Sequence, residues 1–344
     1  FGALLTGCKR YAEAIATYTR ALASTSDEKQ QASLRLARGR AYYASGSLNK
    51  AKEDFSAVRE SNDAQVASEA RFFLVLSLYG LGEDEQARDL AHAYVLAYPH
   101  SSRIPDVMLW LAKSDFNRGA YEDACSGFKD FAVRWPNDPR VPMAIYLAAR
   151  AAYQAQDYTQ AIELIGRVAR MSTSQPSFLS DARFLQAEAL MELARYGEAR
   201  DLLDTLIRRY PDAPWIGDAY GRKGDCLLMT ATDDPGRYAL ASEAYREALT
   251  RLDDPDIEIG YSFKLGRIFE KQQRRNDAAE QYTRLIYRVL AQPENYSEKG
   301  LEWVRKAIAR LRTIELARGN RSGFETLIRR IRQAELPGII LTEL

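Results

Sequence analysis

The sequence predicts an all-α fold, a right-handed superhelical array (solenoid) of about nine helix hairpins. One observation is a pattern of Gly-x-Tyr, then alanine, then an aromatic residue, which returns every 36 to 38 residues along much of the 344-residue chain. Another is the composition, 46% hydrophobic and 28% charged, which is ordinary for a folded protein. A fixed period of this size indicates stacked repeats rather than a single core.

Each repeat is predicted to be two helices joined by a short turn. In the second repeat, Gly39 and Tyr42 share one face of the first helix, and residues 46–48 form the turn. Ala51 and Phe55 then begin an apolar stripe on the second helix. The small residues allow the two helices to cross closely, and Phe55 is expected to fill the space between neighbouring hairpins.

The spacing of the repeats changes along the chain. Successive second helices begin 37, 36, 37, 37 and 38 residues apart, and the next step is 42 residues. The extra residues lie at 230–236, between the two helices of the seventh repeat. The last step is 46 residues. The first repeat begins inside its first helix, so we expect the chain to be a fragment of a longer protein or a processed product.

Several second helices are predicted to end at an aromatic residue followed by proline. The three cases are Tyr98-Pro99, Trp135-Pro136 and Tyr210-Pro211. Proline lacks an N–H group and restricts the residue before it, so it blocks continuation of a helix.

These positions resemble the signature of the tetratricopeptide repeat (TPR) family over nearly the whole chain. The resemblance rests on recurring sets such as Gly39, Tyr42, Ala51 and Phe55. The long repeats and aromatic-proline ends are similar to the TPR subtype of bacterial cell-envelope proteins, which includes the barrel-assembly lipoprotein and Tol-Pal-associated TPR proteins. The resemblance implies a solenoid whose first helices line a concave groove that binds a peptide or protein segment.

Charge suggests a division of the array into two parts. Residues 1–263 form the first seven repeats and carry a net charge of −6. Residues 264–344 form basic repeats and a capping tail, and within them residues 264–334 carry 17 Lys and Arg against 8 Asp and Glu. This basic part could face an acidic partner or could simply be a solvated helical surface.

Both ends of the sequence leave alternatives open. Leu5-Thr6-Gly7-Cys8 resembles a bacterial lipoprotein box, in which Cys8 would carry lipid, but it also fits the end of a first helix. The apolar residues 339–344 could cap the last repeat or dock into another molecule.

A ladder of aromatic and basic residues is predicted on the first helices. Aromatic rings offer contact area at low entropic cost, and arginine can pair with carboxylates or stack on rings. Many of these aromatic residues could instead fill gaps between hairpins. The residues expected to face a partner in the concave groove are Arg40, Tyr43, Phe72, Tyr79, Lys113, Phe116, Tyr146, Arg150, Tyr153 and Phe184.

The sequence gives no support for catalysis, a cofactor or a metal site. The two histidines, His92 and His100, have no partner pattern, and the three cysteines have no metal-ligand spacing. The net charge of +1 does not favour nucleic acid, and no apolar run is long enough to span a membrane.

We therefore expect a non-enzymatic scaffold that binds a protein segment, in a periplasmic or cell-envelope assembly. A cytoplasmic location is the alternative. The competing functional hypothesis is a structural or oligomerisation module of a larger protein whose activity lies outside this sequence.

Overall fold

The computed structural model describes residues 6–7, 9–171, 177–232 and 234–334. Cys8 and the tail 335–344 lie outside the described residues. Within those ranges the chain is all-helical. The α-helices are α1 (Tyr11–Ser24), α2 (Glu28–Ala44), α3 (Leu48–Val58), α4 (Ala64–Gly80), α5 (Asp84–Ala97), α6 (Ile104–Asn117), α7 (Tyr121–Arg134), α8 (Val141–Gln154), α9 (Tyr158–Met171), α10 (Leu179–Glu192), α11 (Tyr196–Arg209), α12 (Ile216–Met229), α13 (Arg237–Leu249), α14 (Pro255–Lys271), α15 (Arg275–Ala291), α16 (Glu298–Ala317) and α17 (Arg321–Gln333), with a 3₁₀ turn at Pro293–Asn295.

The helices form hairpins in the predicted order. The two helices pack against each other in each of α2/α3, α4/α5, α6/α7 and α8/α9, and successive hairpins of this group pack together. The same holds within the group α10/α11, α12/α13, α14/α15 and α16/α17. The predicted array of helix hairpins is thereby confirmed, with α1 as the second helix of the first, shortened hairpin.

The chain divides into two compact units between residues 172 and 173. Helices α1 to α9 belong to the first compact unit and α10 to α17 to the second. The division expected at residues 263/264 rests on charge and stays a prediction. None of the described helices is both long and apolar enough to cross a membrane.

Small residues on the first helices make room for large residues on the second. A Cβ atom added to Gly39 would lie 2.7 Å from the Phe55 ring of the same hairpin. Gly224 faces Tyr245 in the same way, and Gly266 faces Tyr282. The signature glycine therefore accommodates the aromatic residue of its own hairpin, and Phe55 also stacks on Phe73 of the following hairpin, with ring centroids 5.5 Å apart.

A residue in the left-handed region ends the first helix of most hairpins. Gly46, Gly82 and Gly119 have φ between 77° and 85°. At the equivalent places Gln156, Ala194 and Gln273 adopt φ between 55° and 63°. Glycine adopts this conformation without the steric strain that a Cβ atom introduces. The turn geometry is thus conserved along the array even where its preferred residue is absent.

The aromatic-proline ends lie where the sequence predicts them. Helices α5, α7 and α11 end one residue before Tyr98, Trp135 and Tyr210. In each case the aromatic residue donates its N–H to the helix and leaves the helical conformation, with ψ between 54° and 64°. The longer steps also have structural causes. The extra residues at 230–236 separate α12 from α13, and α16 is 20 residues long.

Candidate peptide-binding face

Nine of the ten predicted groove residues lie in the first compact unit. They occupy α2, α4, α6 and α8, the first helices of four successive hairpins. The tenth, Phe184, lies on α10 of the second compact unit and stacks on Trp215, with ring centroids 5.0 Å apart. We use the term first-helix face for the exposed side of α2, α4, α6 and α8.

Aromatic contacts join α2 to α4 and α4 to α6 along this face. The guanidinium carbon of Arg40 lies 5.2 Å from the Phe73 ring centroid, and the rings of Tyr43 and Phe73 meet edge to face at 5.8 Å. Further along, Tyr79 packs edge to face against Trp110 at 5.5 Å. The structure therefore brings Arg40 and Tyr43 together through a ring that the sequence analysis did not select.

Arginine and aromatic rings join α6 to α8 in a similar manner. The guanidinium carbon of Arg150 lies 5.4 Å from the Phe116 ring centroid and 6.0 Å from that of Tyr146. Such cation–π contacts contribute about 0.5–1 kcal/mol at exposed sites. Arg150 is exposed and its guanidinium stacks on these rings through its face. The N–H groups at the edge of the guanidinium therefore stay accessible to another molecule.

The aromatic side chains differ in how much surface they offer. Tyr79 is 38% exposed, whereas Tyr43, Phe116 and Tyr153 are partly buried. Two of these partly buried rings also pack against the second helix of their own hairpin, Phe116 on Tyr121 and Tyr153 on Tyr158. Tyr79 is therefore the most accessible of the four, and the others present part of their rings.

Phe72 does not belong to the accessible set. It is 7% exposed and lies in the hydrophobic core with Tyr94, with Arg103 stacked on its ring at 4.9 Å. The prediction that Phe72 faces a partner is corrected by this burial. Phe72 is buried because Tyr94 of the same hairpin packs against its ring and Arg103 covers it, whereas Phe73 is only partly buried.

Three exposed cations form a row on the first-helix face. Arg40, Lys113 and Arg150 occupy the same register on α2, α6 and α8, and Leu76 holds that register on α4. Within the described part of the chain, none of the three has a carboxylate partner, although many other cations form ion pairs. An unpaired cation near aromatic surface can pair with an incoming carboxylate without breaking an existing bond.

In the second compact unit, the positions that correspond to this row are Glu188, Asp225 and Arg267, and each of them already forms an ion pair or hydrogen bond with an oppositely charged residue. Glu188 accepts from Arg222 at 3.2 Å. Asp225 accepts from Lys264 at 2.6 Å, and Arg267 lies 3.6 Å from Glu270. Ion pairs between hairpins, and for Arg267 a pair within α14, thus satisfy these charges internally. The two compact units carry chemically different first-helix surfaces.

Burial affects the titration of two acids in the second compact unit. Desolvation raises the pKa of the Glu188 carboxyl, and the nearby Arg222 charge opposes that rise. Desolvation likewise raises the pKa of Asp218, whose carboxyl is also near Asp254. Charged forms at both positions are therefore less favourable than in water. These acids line the α10 to α14 region rather than the first-helix face.

Cysteines 125 and 226 are buried and free. Burial raises the pKa of both thiols, that of Cys226 to about 12. Because the thiolate is the reactive form, these side chains fit packing rather than nucleophilic chemistry. Within the described ranges, no group of three or more His, Cys, Asp and Glu residues is arranged to hold a metal ion.

Sequence reasoning missed Phe73 and Trp110. Phe73 directly follows the predicted position Phe72, and Trp110 lies three residues before the predicted Lys113. Two adjacent aromatic residues on one helix point about 100° apart, so only one of Phe72 and Phe73 can fully enter the core. The doublet was therefore a usable signal for an accessible second ring.

Comparison with known proteins agrees with the fold. Two family profiles, both described as tetratricopeptide repeat, match the chain, one at residues 36–102, 146–214 and 184–257 and the other at 106–138 and 262–289. Among curated proteins, a sequence search finds no significant match.

Solved structures with the same kind of fold cover most of the chain. The C-terminal part of a TPR repeat-containing protein from Cytophaga hutchinsonii is similar with a TM-score of 0.57 and 18% identity, covering 73% of this chain and 93% of that one. A tetratricopeptide repeat protein from Parabacteroides merdae gives a TM-score of 0.50 and 15% identity, covering 81% and 99%.

A third similar structure, from Pyrococcus horikoshii, is a protein of the class called signal transduction ATPases with numerous domains. That protein carries a tetratricopeptide repeat sensor. It gives a TM-score of 0.52 and 16% identity, covering 72% of this chain and 40% of that one. At these identities the likeness concerns the fold alone. With its hairpin geometry and with profile matches over more than half of its length, the chain belongs to the tetratricopeptide repeat family.

Proposed function

We propose that this chain is a non-enzymatic scaffold that binds an acidic protein segment on the first-helix face of its first compact unit. Proteins of the tetratricopeptide repeat family generally serve as protein-protein interaction scaffolds. The observation that carries the finer proposal is the row of exposed cations, Arg40, Lys113 and Arg150, which have no carboxylate partner in the described part of the chain.

The chemistry of the face suits a segment that combines carboxylates with apolar side chains. Tyr79 and the accessible parts of Phe73 and Trp110 supply flat contact area. The cations supply directional pairing, and Arg40 and Arg150 are held in place by the rings beneath them. Such preorganisation reduces the entropy lost on binding.

A structural module of a larger protein is the second candidate function. The ion pairs of the second compact unit favour it, since they satisfy the charges of the first helices internally. A cell-envelope setting is a further part of the proposal and rests on the long repeats and aromatic-proline ends. Detection of the native protein in periplasmic or cytosolic fractions tests that setting directly.

The binding proposal is tested by selecting peptides from a random displayed library on the full chain. We expect the selected peptides to be enriched in Asp and Glu and to contain aromatic or aliphatic residues. In the triple variant Arg40→Glu, Lys113→Glu, Arg150→Glu, we expect their affinity to fall by about tenfold or more, because each position changes from attraction to repulsion.

A matched variant controls for the change in net charge. Arg20, Lys29 and Lys50 are exposed cations of the same compact unit that lie outside the row. Replacing these three by Glu is expected to change affinity by no more than about twofold. Peptides without acidic enrichment, or equal losses in both triple variants, would show that the row does not recognise a carboxylate-bearing segment.

A further inference from the structure

In the second compact unit, the hairpin α14/α15 presents a groove that the first helix of the next hairpin occupies. Helix α16 packs against both α14 and α15. Its buried stripe includes Leu301, Val304, Ile308 and Leu311, which join the core cluster that also contains residues of α14 and α15. Arg310 on the flank of α16 pairs with Glu270 of α14. The helix that occupies this groove, α16, thus has an apolar stripe that joins the core and a flanking charge that pairs with an opposite charge on α14.

The hairpin α16/α17, the last one that the structure describes, has an equivalent groove with no described occupant. The groove lies between α16 and α17 and has a volume of about 540 Å³. Leu316, Phe324 and Ile328 form its apolar part, and Leu316 is 48% exposed. Among the described helices, none follows α17. Apolar surface that lies between two helices of a solenoid normally packs against a further helix.

The rim of this groove is strongly basic. Four arginines line it, namely Arg312, Arg321, Arg329 and Arg332. Among the described residues that line the groove, Glu325 is the one acid, and it is paired with Arg321 at 3.0 Å. Within the described ranges, Arg312 and Arg332 have no carboxylate partner. The groove therefore combines an apolar floor with uncompensated positive charge.

We propose that this groove, the terminal groove, binds an amphipathic helix with acidic flanks contributed by a partner protein. The helix would lie where the first helix of a following hairpin lies in the rest of the array. Its apolar stripe would cover Leu316, Phe324 and Ile328, and its carboxylates would pair with Arg312 and Arg332. This docking resembles helix-in-groove recognition, in which side chains at helical spacing act as anchors.

The chain's own residues 335–344 fit this place less well. Three of their apolar residues, Leu336, Ile340 and Leu344, are four apart, but Pro337 and Gly338 lie between the first two of them. A Pro-Gly pair favours a turn over a continuous helix, so the sequence does not favour one helical stripe through this segment. The segment also holds only two acids, Glu335 and Glu343.

The test uses the full chain and a fluorescent designed peptide with leucines at helical spacing and glutamates on both flanks. Its affinity is measured by anisotropy, beside a peptide with lysine in place of glutamate and a scrambled peptide. We expect only the acidic amphipathic peptide to bind. The double variant Arg312→Glu, Arg332→Glu should weaken that binding by about tenfold or more.

One further variant tests the contribution of the apolar floor separately from that of the basic rim, and another controls for the change in net charge. Leu316→Asp should also weaken binding, because it places a carboxylate on the apolar floor beside the acidic peptide. Arg20→Glu with Arg208→Glu changes exposed arginines elsewhere and should leave the affinity within about twofold. Because the terminal groove lies in the second compact unit, the triple variant of the first-helix face should bind this peptide normally.

Several outcomes would overturn the proposal. No binding by the acidic peptide, or equal binding by the lysine peptide, would exclude the stated chemistry. Equal binding by an RNA oligonucleotide would indicate a general anion surface. A rise in peptide affinity after removal of residues 335–344 would assign the groove to the chain's own tail. Concentration-dependent dimerisation that Arg312→Glu, Arg332→Glu abolishes would assign it to a second copy.

Discussion

Facing positions on the two helices of a hairpin share a limited volume. Gly39 faces Phe55, whereas Ala149 and Ala187 occur with the smaller Ile165 and Leu203 at the corresponding places. Where the first helix carries Val75, the second carries Ala91, and both are buried in one cluster. In these pairs a larger residue on one helix occurs with a smaller one on the other, as close packing favours, although Ala112 is found with the large Phe128.

Substitutions at Gly39 and Phe55 test this complementarity. Gly39→Ala should lower the free energy of unfolding by about 1–3 kcal/mol, because the added Cβ would lie 2.7 Å from the Phe55 ring. Phe55→Leu should also destabilise the fold, since Leu loses contacts with Phe73. The double variant should be more stable than the sum of the single effects predicts, by about 0.5 kcal/mol or more.

Urea denaturation of the wild type and the three variants measures this coupling. Gly197→Ala is the control, because Gly197 lies exposed in α11 and an added Cβ atom meets nothing within 4 Å. There alanine should stabilise the helix by about 0.5–1 kcal/mol. Additive effects of Gly39→Ala and Phe55→Leu would show that the two positions do not compete for space.

The sequence predicts such local volumes better than it predicts exposure. Gly39 and Ala51 were predicted to lie where the two helices cross, and Phe55 between neighbouring hairpins, and all three are buried. Phe72 was assigned to the accessible face, yet it is buried, and Phe73 is the partly exposed member of the pair. Helical periodicity identifies a stripe, but packing against the neighbouring helix decides which member of an aromatic doublet enters the core.

At the scale of helices, the second compact unit is joined by polar contacts between hairpins. Asp225 on α12 accepts a hydrogen bond from the Tyr245 hydroxyl on α13 at 2.7 Å. It also accepts from the Lys264 ammonium on α14 at 2.6 Å. One carboxylate thereby connects three helices. Its partners are 20 and 39 residues away in sequence, and no local pattern marks them as a set.

Asp225→Asn is expected to lower the free energy of unfolding by about 1.5–3 kcal/mol, the range for hydrogen bonds to a charged group. The amide keeps one acceptor oxygen but loses the charge that holds Lys264. Native-state hydrogen exchange should show faster exchange in α13 and α14 and little change in α2 to α8.

Asp201→Asn controls for removal of an acid from the same compact unit. The side chain of Asp201 is 70% exposed and, among the described residues, its carboxylate pairs with its neighbour Arg200 at 2.8 Å alone, so its loss should change stability by less than about 0.5 kcal/mol. Equal effects of the two substitutions, or unchanged exchange in α13 and α14, would mean that Asp225 does not connect these helices.

Helix boundaries and turns follow from the sequence, whereas contacts between hairpins do not. The aromatic-proline ends and the extra residues at 230–236 are visible in the sequence and are found as predicted. The pairing of Glu188 with Arg222 depends on how far one hairpin rotates relative to the next. That rotation comes from the packing of many side chains, so the spacing of 34 residues does not by itself identify a partner.

At the scale of the whole molecule, the division into two compact units predicts more than one unfolding event. In a solenoid each hairpin contacts only its neighbours, and stability is close to a sum of local terms. Tryptophans report separately on the two compact units. Trp110 and Trp135 lie in the first, and Trp215 and Trp303 lie in the second. Replacing either pair by Phe leaves fluorescence from one compact unit alone.

On each of these two backgrounds, a core residue of one compact unit is then truncated. Phe55→Ala removes a fully buried ring from the first unit and should cost about 3–5 kcal/mol. The urea midpoint of this variant should fall more when unfolding is followed by Trp110 and Trp135 than when it is followed by Trp215 and Trp303.

Ile286→Ala, at a fully buried position of the second unit, should cost about 2–5 kcal/mol. Its urea midpoint should fall more for the Trp215/Trp303 signal than for the Trp110/Trp135 signal. Equal shifts of both signals in both variants would instead mean that the array unfolds as one cooperative body, because a local loss would then be shared by all hairpins.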